Sequence, residues 1–398
     1  MAPPYVLSAI AKAILINLIE GGVIGFSPRG SIVRPLALAL IVLLAASIHC
    51  TIVPWEQHRS LAGMLSCNSI FVVAHAPDLF FHSGVTYNEH YDWLCKTKGY
   101  HPPFTLLQRA NWAFAMIRNG RRVGTKWQVV PIHPFDPERP DYIPTRTTFL
   151  VHRLLTIFLW CIVLYFLGGP PFHFAFPSYI TKERQELLLD EYDLALSAFL
   201  PRFWLSMSFI LGLSTFQRAS YNLFSVISVS LRLSEPEDWP PMKGPFLGTW
   251  SVRRFWGNTW HQIFRCAFSL NADFITFSVL HLPRGTIFAR YSRLFFSFLF
   301  SGVLHLFFDE AAGVPRDKGG AILFYTLQPV AFAIEDFAQW MSTEYGILTE
   351  DLVLRTLIGY TWVCIWCTLT WPIWVFPLMR EPADGQRHVQ FLQLPLAY

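Results

Sequence analysis

The chain has 398 residues, of which 53% are hydrophobic and only 15% are charged, and its formal net charge at pH 7 is +4. A soluble globular domain usually carries about 25% charged residues, so this composition excludes an ordinary soluble protein. The basic residues are dispersed rather than gathered in a block, which excludes a nucleic-acid-binding tail. We therefore expect one integral-membrane domain over residues 1–398, in contact with membrane lipid and without a nucleic-acid partner.

Apolar segments recur along the whole chain, and most approach the roughly 20 residues needed to cross a bilayer. The third segment is the weakest, because His75-Ala-Pro-Asp78 interrupts it. The fifth is overlong and contains Gln217-Arg218, so it could be tilted, broken or two shorter pieces. The predicted fold is an all-α polytopic bundle of about eight transmembrane helices with an internal tunnel. The segments are 5–25, 34–53, 61–81, 148–168, 203–231, 287–308, 321–340 and 352–377.

Two long connections, about 82–147 and 232–286, separate these segments. Both would lie on the same side of the membrane, and the loops of that side carry more Lys and Arg than those of the other side. Loops rich in Lys and Arg usually face the cytoplasm. The charge bias therefore predicts that the connection 232–286 is cytoplasmic.

The second connection contains the stretch Phe255-Trp-Gly-Asn-Thr-Trp-His-Gln-Ile-Phe-Arg265. As one helix from 253 to 268, it would separate an apolar stripe from a polar face. Such a helix could be an ordinary interfacial anchor. Its guanidinium groups could instead bind the phosphates of an anionic carrier such as coenzyme A. The stripe would contain Trp256, Trp260, Ile263, Phe264 and Ala267, and the polar face Arg254, Asn258, His261 and Arg265.

The sixth segment contains His305, and a histidine at bilayer depth is a candidate functional residue because it is costly to place there. Ser301, His305 and Asp309 are four residues apart, so they would share one helix face. A hydroxyl or carboxylate beside the imidazole could fix its tautomer and raise its basicity, while Gly302 would allow close approach of a neighbouring helix or a substrate. The alternative is a buried histidine with a structural role. The neighbouring Ser301 and Asp309, however, suit His305 to general-base catalysis.

The seventh segment contains two adjacent acids, Glu335 and Asp336, in an otherwise apolar run. They could contact a substrate, or they could pair with Arg218 or Arg355. The sequence leaves both interpretations open.

The pattern Phe255-Trp-Gly-x-x-Trp-His-x-x-Phe-Arg265, followed some forty residues later by Ser301-Gly-x-x-His305, resembles the wax-synthase-like branch of the membrane-bound O-acyltransferases. That branch includes fungal O-acetyltransferases of terpenoids and meroterpenoids. The resemblance is clearest over about 235–377 and implies that His305 is the general base. It also implies a donor site around the first motif, although Asn258-Thr259 stand where many relatives have small or basic residues. The implied roles are catalytic for His305, His261 and Asn258, donor-binding for Trp256, Trp260, Arg254 and Arg265, and supporting for Ser301 and Asp309.

The resemblance further implies acetyl-CoA as co-substrate, a lipophilic terpenoid alcohol as acceptor, and a multi-pass protein of the endoplasmic reticulum. No bound cofactor or metal is expected, since no P-loop, dinucleotide or metal-ligand motif occurs in the sequence. Two alternatives remain open: a long-chain wax-ester synthase that uses fatty acyl-CoA, and a polytopic transporter. A transporter would often have internal repeats with paired broken helices, and the sequence has no evident repeat.

Overall fold

The helices of this computed structural model follow the apolar segments of the sequence closely. The structure describes residues 4–55, 59–99, 105–129, 132–168, 179–186, 196–244, 248–260, 262–346 and 352–380. Within these ranges the longer helices are α1 (Pro4–Phe26), α2 (Val33–Ile52), α3 (Arg59–Pro77), α4 (Tyr87–Lys98), α5 (Leu106–Arg118), α6 (Arg146–Gly168), α7 (Leu196–Ser230), α8 (Arg265–Asp273), α9 (Ile287–Ala311), α10 (Ala321–Tyr345) and α11 (Leu352–Met379).

Eight stretches of the described helices are long and apolar enough to cross a membrane, which confirms the predicted all-α polytopic fold. The overlong fifth segment is one continuous helix of 35 residues, α7, rather than two pieces. The third continues past Pro77 into a π-helical turn, Asp78–His82. The stretches are Pro4–Phe26, Val33–Ile52, Arg59–His82, Arg146–Phe166, Phe199–Ser230, Ile287–Ala311, Ala321–Tyr345 and Leu352–Met379. The predicted internal tunnel stays a prediction.

Several helices begin where the sequence places a threonine, whose hydroxyl can accept a backbone N–H of the first turn. Thr286 accepts the Ala289 N–H at 3.2 Å and so starts α9, the helix that contains His305. Thr86 caps α4 in the same way, and α4 ends at Gly99, whose φ of 60° is left-handed and therefore suits glycine. Local sequence thus fixes the start of the helix that carries the candidate base.

The chain divides into two compact units, one formed by Met1–Val130 and Ile263–Thr326, the other by Pro131–Gln262 and Leu327–Tyr398. His305 belongs to the first unit. Most of the aromatic stretch that starts at Phe255 belongs to the second. The assignment of the whole chain to a single domain stays a prediction.

In the first unit, buried charge joins the helices around an apolar core. Arg34 at the start of α2 is 1% exposed and donates to the backbone oxygens of Phe80 and Val85 at 2.6 and 2.8 Å. Asp78, fully buried in the π-helical turn, pairs with Arg122. Because buried charges are stable only when paired and hydrogen-bonded, these contacts explain why Arg34 and Asp78 are tolerated within the second and third spans.

In the second unit, arginines again connect the helices through backbone oxygens. Arg153 of α6 donates to the Asn222 side chain of α7 at 2.6 Å and to the Trp239 carbonyl at 2.7 Å. Arg202 of α7 is fully buried and donates to the Thr368 carbonyl of α11 at 3.0 Å. These bonds hold α6, α7 and α11 together around the connection that contains the first motif.

Candidate active site

His305 lies in the second half of α9, with its imidazole stacked on a tyrosine of α10. The rings of His305 and Tyr325 are 4.8 Å apart between centroids and nearly parallel, at 7°. His305 is partly buried and Tyr325 is 1% exposed. The stack restricts rotation of the imidazole, because turning the ring would break the contact with a fixed aromatic neighbour.

The polar neighbour of this pair is Ser301, one turn before His305 on α9. Ser301 hydrogen-bonds the Tyr325 hydroxyl, so Tyr325 contacts both residues of the Ser301-Gly-x-x-His305 motif. Gly302 lies at a close approach of α9 to α10, because a Cβ there would be 3.2 Å from the Ile322 Cα. The motif glycine therefore allows the approach that brings Tyr325 against His305.

Asp309 follows one turn after His305 and is 2% exposed. Its carbonyl accepts the Val314 N–H at 2.8 Å, close to the end of α9. The predicted role of Asp309 in orienting the imidazole stays a prediction. Tyr325 is the residue that sequence reasoning missed; a tyrosine in an apolar span was the available signal.

A second network holds the end of α9 beyond the imidazole. His49 of α2 contacts Glu310 at 2.9 Å through Nε2 and Ser66 at 3.3 Å through Nδ1. Arg316 donates to the same Glu310 carboxylate at 2.7 Å, and the Ser66 hydroxyl donates to the Phe307 carbonyl at 3.0 Å. Since these contacts lie within two turns of His305, they fix the helix that presents the imidazole.

The aromatic motif in the second unit is not the single helix predicted from 253 to 268. A helical turn at Val252–Arg254 passes into a π-helical turn at Phe255–Thr259. The Trp260 N–H closes that turn by donating to the Phe255 carbonyl at 2.7 Å, and Trp260 itself is extended, with ψ of 163°. We call residues 252–259 the signature turn. The proposed stripe and polar face are therefore wrong, because their 3.6-residue period does not continue past Trp260.

The signature turn begins on a carboxylate of α10. Glu335 accepts the backbone N–H groups of Val252 and Arg253, at 2.5 and 3.2 Å, and the Trp362 indole N–H of α11 at 2.9 Å. Asp336 pairs with the Arg253 guanidinium at 2.8 Å. The two acids do pair within the protein, but neither of the suggested partners, Arg218 and Arg355, is the one found in these contacts. Sequence spacing could not reveal a partner more than 80 residues away.

The Trp256 indole of the signature turn donates to the Gln328 side chain of α10 at 3.1 Å. The Trp366 indole of α11 donates to the same oxygen at 3.0 Å. Gln328 is 1% exposed, and sequence reasoning did not single it out. One buried amide oxygen therefore joins the signature turn to α11.

The connection just before the motif adds a buried lysine. Lys243 is 3% exposed, donates to Gln217 at 2.6 Å and to Ser214 at 3.0 Å, and its ammonium lies 5.0 Å from the centre of the Trp260 ring. Burial, with a smaller contribution from nearby Arg218, lowers the pKa of Lys243 to about 7. The cation–π contact with Trp260 is thus present only while Lys243 is protonated.

Gly244 holds the other end of the signature turn. Its N–H donates to the Asn258 carbonyl at 3.0 Å. A Cβ at this position would lie 3.0 Å from the His133 ring, so a larger residue would have to displace that ring. The turn is therefore anchored at its first residues by Glu335 and near its end by Gly244.

The predicted donor-binding residues are distributed unequally between the two units. Arg254 is exposed with its guanidinium 4.1 Å from the Trp250 ring centre, and Asn258 is partly buried in the signature turn. Arg265 is exposed at the first residue of α8 and belongs to the other unit. His261 lies outside the described residues. The structure thus groups Arg254, Trp256, Asn258 and Trp260 in one short segment.

Trp260 is 3% exposed and extends the signature turn into an aromatic cluster. The centroid of its ring lies 5.4 Å from the ring centroid of Trp371 of α11 and 5.8 Å from that of Trp256. Trp371 in turn packs on Trp374 at 5.7 Å and on Phe209 of α7 at 5.8 Å. Large aromatic side chains therefore pack around Trp260, next to the turn.

In the described part of the chain, no group of three His, Cys, Asp or Glu side chains could hold a metal ion.

Comparison with known proteins decides the family. The model of the membrane bound O-acyl transferase family matches residues 239–327, which include the signature turn and His305. The chain is 30% identical to acetyltransferase aurG of Calcarisporium arbuscula over 295 residues, 71% of this chain and 68% of that protein. It is 31% identical to acetyltransferase eriL of Hericium erinaceus over 286 residues, 70% and 68% of the two chains. The chain belongs to the membrane-bound O-acyltransferase family.

A third relative of this acyltransferase, acetyltransferase ataH of Aspergillus terreus, is 36% identical over 190 residues, 46% of this chain and 62% of that protein. No solved structure matches the chain. The protein is accordingly a multi-pass membrane O-acyltransferase, and family membership implies an acyl-CoA donor and an alcohol acceptor.

The acyltransferase reaction needs a group that removes a proton from the alcohol and a surface that holds the acyl donor. His305 has the chemistry for the first task, because a neutral imidazole has one ring nitrogen that accepts a proton. The signature turn has cationic and amide groups suited to an anionic donor. Because the chain belongs to a family of transferases, the alternative that it is a transporter is wrong.

Proposed function

We propose that this acyltransferase transfers an acetyl group from acetyl-CoA to a hydroxyl of a lipophilic terpenoid or meroterpenoid alcohol. The observation that carries the proposal is the partly buried His305, stacked on Tyr325 at 4.8 Å within a membrane-spanning helix of the family-matched region. The names of the similar proteins, which are acetyltransferases, support acetyl as the transferred group.

His305 is the general base of the proposed reaction. One nitrogen of its neutral ring takes the hydroxyl proton while the alcohol oxygen attacks the carbonyl carbon of the thioester. The C–S bond then breaks, and the imidazolium returns the proton to the departing CoA thiolate. The products are an acetate ester and free coenzyme A, without a covalent acyl-enzyme. General-base catalysis typically contributes about 10²–10⁴ in rate.

Tyr325 and Ser301 support this role by orienting the imidazole. Tyr325 holds the plane of the ring through stacking, and its hydroxyl is itself fixed by Ser301. An imidazole that is already oriented loses less freedom when the alcohol binds. Asp309, buried one turn further along α9, is assigned to the same support.

The signature turn is the proposed donor side. Arg254 is exposed and presents a guanidinium, the group best suited to phosphate oxygens, and we assign it to the phosphates of coenzyme A. For Arg265 the donor-binding role is proposed from the resemblance of the motif alone. Asn258 and His261 are assigned to the thioester end, and Trp256 and Trp260 to the walls of the site. These assignments follow the family resemblance of the motif.

The aromatic cluster behind the turn supports a short acyl group. Trp260, Trp371, Trp374 and Phe209 pack ring against ring, and a sixteen-carbon chain would need a long apolar channel through such a region. Long-chain wax-ester synthesis from fatty acyl-CoA is the alternative within the same reaction class.

The substrate test uses microsomes from cells that express the full chain, with empty-vector microsomes as control. Each preparation receives acetyl-CoA or palmitoyl-CoA together with polycyclic terpenoid alcohols or hexadecanol, and esters are measured by mass spectrometry. The proposal predicts acetate esters of a terpenoid alcohol. Preference for palmitoyl-CoA with hexadecanol would contradict the acetyl assignment, and absence of any ester would contradict the proposed function as a whole.

The proposed location is the membrane of the endoplasmic reticulum, on the basis of the family resemblance and the eight apolar helices. Co-fractionation of the tagged protein with an endoplasmic-reticulum marker is the expected result. Fractionation with plasma membrane or mitochondria would contradict it.

A further inference from the structure

Three side chains of α10 accept hydrogen bonds from the signature turn, and none belongs to the recognised motif. The first is Gln328, whose amide oxygen receives the indole N–H groups of Trp256 at 3.1 Å and Trp366 at 3.0 Å. Gln328 is 1% exposed. Water is therefore excluded from the amide oxygen, and its bonds to the indoles are not easily replaced.

The second acceptor is Glu335, seven residues further along and so on the same face of α10. Its carboxylate receives the N–H groups of Val252 and Arg253, the first residues of the signature turn, and the Trp362 indole N–H at 2.9 Å. Asp336 adds a salt bridge to the Arg253 guanidinium at 2.8 Å.

The two sites repeat one arrangement. In each, α10 supplies the acceptor and α11 supplies an indole donor. The signature turn supplies one further donor at Gln328 and two at Glu335. The two indoles of α11, Trp362 and Trp366, are one helical turn apart, with ring centroids 5.5 Å from each other. The signature turn is thus attached to two helices at two separate points.

Such attachment matters because a π-helical turn is rare and depends on its surroundings for stability. The turn contains Gly257, which lowers its intrinsic helical stability further, and the chain becomes extended directly after it at Trp260. Local sequence therefore does not determine the conformation of residues 252–259. The contacts with Glu335 and Gln328 stabilise this conformation, which the local sequence alone would not.

We propose that Gln328 and Glu335 are positioning residues that set the affinity of this enzyme for its acyl donor. Glu335 fixes the start of the signature turn, and Gln328 fixes the orientation of the Trp256 indole. Neither touches the substrate. The inference rests on the proposed function, because it takes the signature turn as the donor side of the site.

A positioning role of this kind predicts a selective kinetic effect. If the two residues organise only the donor side, their loss raises the KM for acetyl-CoA and leaves the KM for the alcohol unchanged. A residue that merely stabilises the fold would instead lower the amount of active enzyme, and neither KM would change.

The experiment compares two substitutions with matched controls on the same helix. Gln328→Met removes the acceptor at similar side-chain length, and Gln339→Met makes the same change at an exposed position. Glu335→Gln removes the charge and one acceptor oxygen, and Glu344→Gln is its exposed counterpart. We expect the KM for acetyl-CoA to rise about tenfold in Gln328→Met and in Glu335→Gln, which corresponds to the loss of one or two buried hydrogen bonds, with a change below about twofold in the controls.

A double substitution tests whether Gln328 acts through the Trp256 indole. Trp256→Phe removes the same hydrogen bond from the other side, so Gln328→Met should add less than about twofold to the donor KM in a Trp256→Phe background. If the fold-increases in the KM for acetyl-CoA of the two single variants multiply fully in the double variant, Gln328 does not act through the Trp256 indole and the proposed route is wrong. If Gln328→Met fails to accumulate in the membrane, the Glu335→Gln pair carries the test.

An unchanged donor KM in both variants, with wild-type enzyme active, would overturn the inference while leaving the proposed function intact. An equal rise in the KM of donor and alcohol would also overturn it, because the residues would then not be specific to the donor side. A wild-type protein that forms no ester from acetyl-CoA would instead refute the proposed function.

Discussion

The two candidate site regions reach their conformations by different means. His305 lies in a regular helix, α9, which begins at a threonine cap and packs on α10 through a glycine contact. The signature turn is a short α-helical and π-helical segment whose form depends on Glu335, Gln328 and Gly244. The first region is determined mostly by its local sequence and the second mostly by distant partners.

This difference suggests a division of labour in the proposed reaction. The base must be held rigidly, since a misplacement of about 1 Å can cost 10²-fold in rate, and a regular helix with a stacked ring provides that rigidity. The donor side is set by several hydrogen bonds, each of which contributes a modest amount. Changes near His305 should therefore act on kcat, and changes around the signature turn should act on donor affinity or on stability.

The largest expected effect comes from placing a large side chain at the close contact between α9 and α10. In Gly302→Leu, the new side chain would collide with the Ile322 Cα, which is 3.2 Å from the position of a Cβ, and would push Tyr325 away from the imidazole. We expect ester formation per molecule of folded enzyme to fall about 100-fold. Gly22→Leu is the matched control, because a Cβ at Gly22 of α1 meets no atom within 4 Å. Equal activity of the two variants would show that the helix contact does not position the base.

A smaller effect is expected at Tyr325 itself. Tyr325→Leu removes the ring that stacks on His305, and aromatic pairs of this kind contribute about 0.5–1.5 kcal/mol, so kcat should fall about tenfold. Tyr325→Phe retains the stack and loses only the hydrogen bond with Ser301, so kcat should fall less than about threefold. Steady-state kinetics of both variants measure the difference. A Phe variant as impaired as the Leu variant would assign the effect to the hydroxyl rather than to the ring.

The smallest effect is a pH dependence of stability at Lys243, beside the signature turn. Burial, aided by Arg218, lowers the pKa of Lys243 from 10.5 to about 7. Between these values the unfolded chain binds a proton that the folded protein does not, so this group makes stability increase as pH rises from about 7 towards 10. Below pH 7 the group is protonated in both states, and the cost of burying its charge is fully present.

Thermal unfolding of the detergent-solubilised protein at pH 6.5 and pH 9 tests this sign. In wild type, the Lys243 contribution raises the midpoint temperature of unfolding at pH 9 relative to pH 6.5. In Lys243→Met this contribution is absent, so the change in the midpoint between the two pH values should be about 2–4 °C smaller. Lys318→Met, at an exposed position, should behave like wild type. A Lys243→Met protein with the wild-type pH dependence would show that Lys243 does not titrate in this range.

The sequence predicted the regular part of the molecule well and the signature turn poorly. The eight spans follow from apolar length alone, a property that the bilayer itself imposes, and the Ser301-Gly-x-x-His305 motif lies in the expected helix. The helix from 253 to 268 was wrong because periodicity assumes that local hydrogen bonds continue. They stop at Trp260, in a segment whose first residues are bound by a carboxylate more than 80 positions away.

The partners of the site were also beyond the reach of sequence. Tyr325 is an ordinary residue of an apolar span, and it stacks on His305 where α9 and α10 approach closely at Gly302. Gln328 and Glu335 are polar residues in a span, a pattern that indicates a buried partner but does not identify it. Polar residues in spans can therefore be selected from sequence, whereas their partners require the fold.

The most direct test of the central claim, that His305 removes the alcohol proton, is the transfer of radiolabelled acetyl from acetyl-CoA to a terpenoid alcohol by microsomes with matched amounts of His305→Ala and wild-type enzyme. The control is His152→Ala, the same substitution at an exposed histidine of α6. The account predicts that kcat falls by about 10²–10⁴ in His305→Ala, with an unchanged KM for acetyl-CoA and wild-type activity in His152→Ala. A His305→Ala enzyme that keeps its full rate would contradict the account.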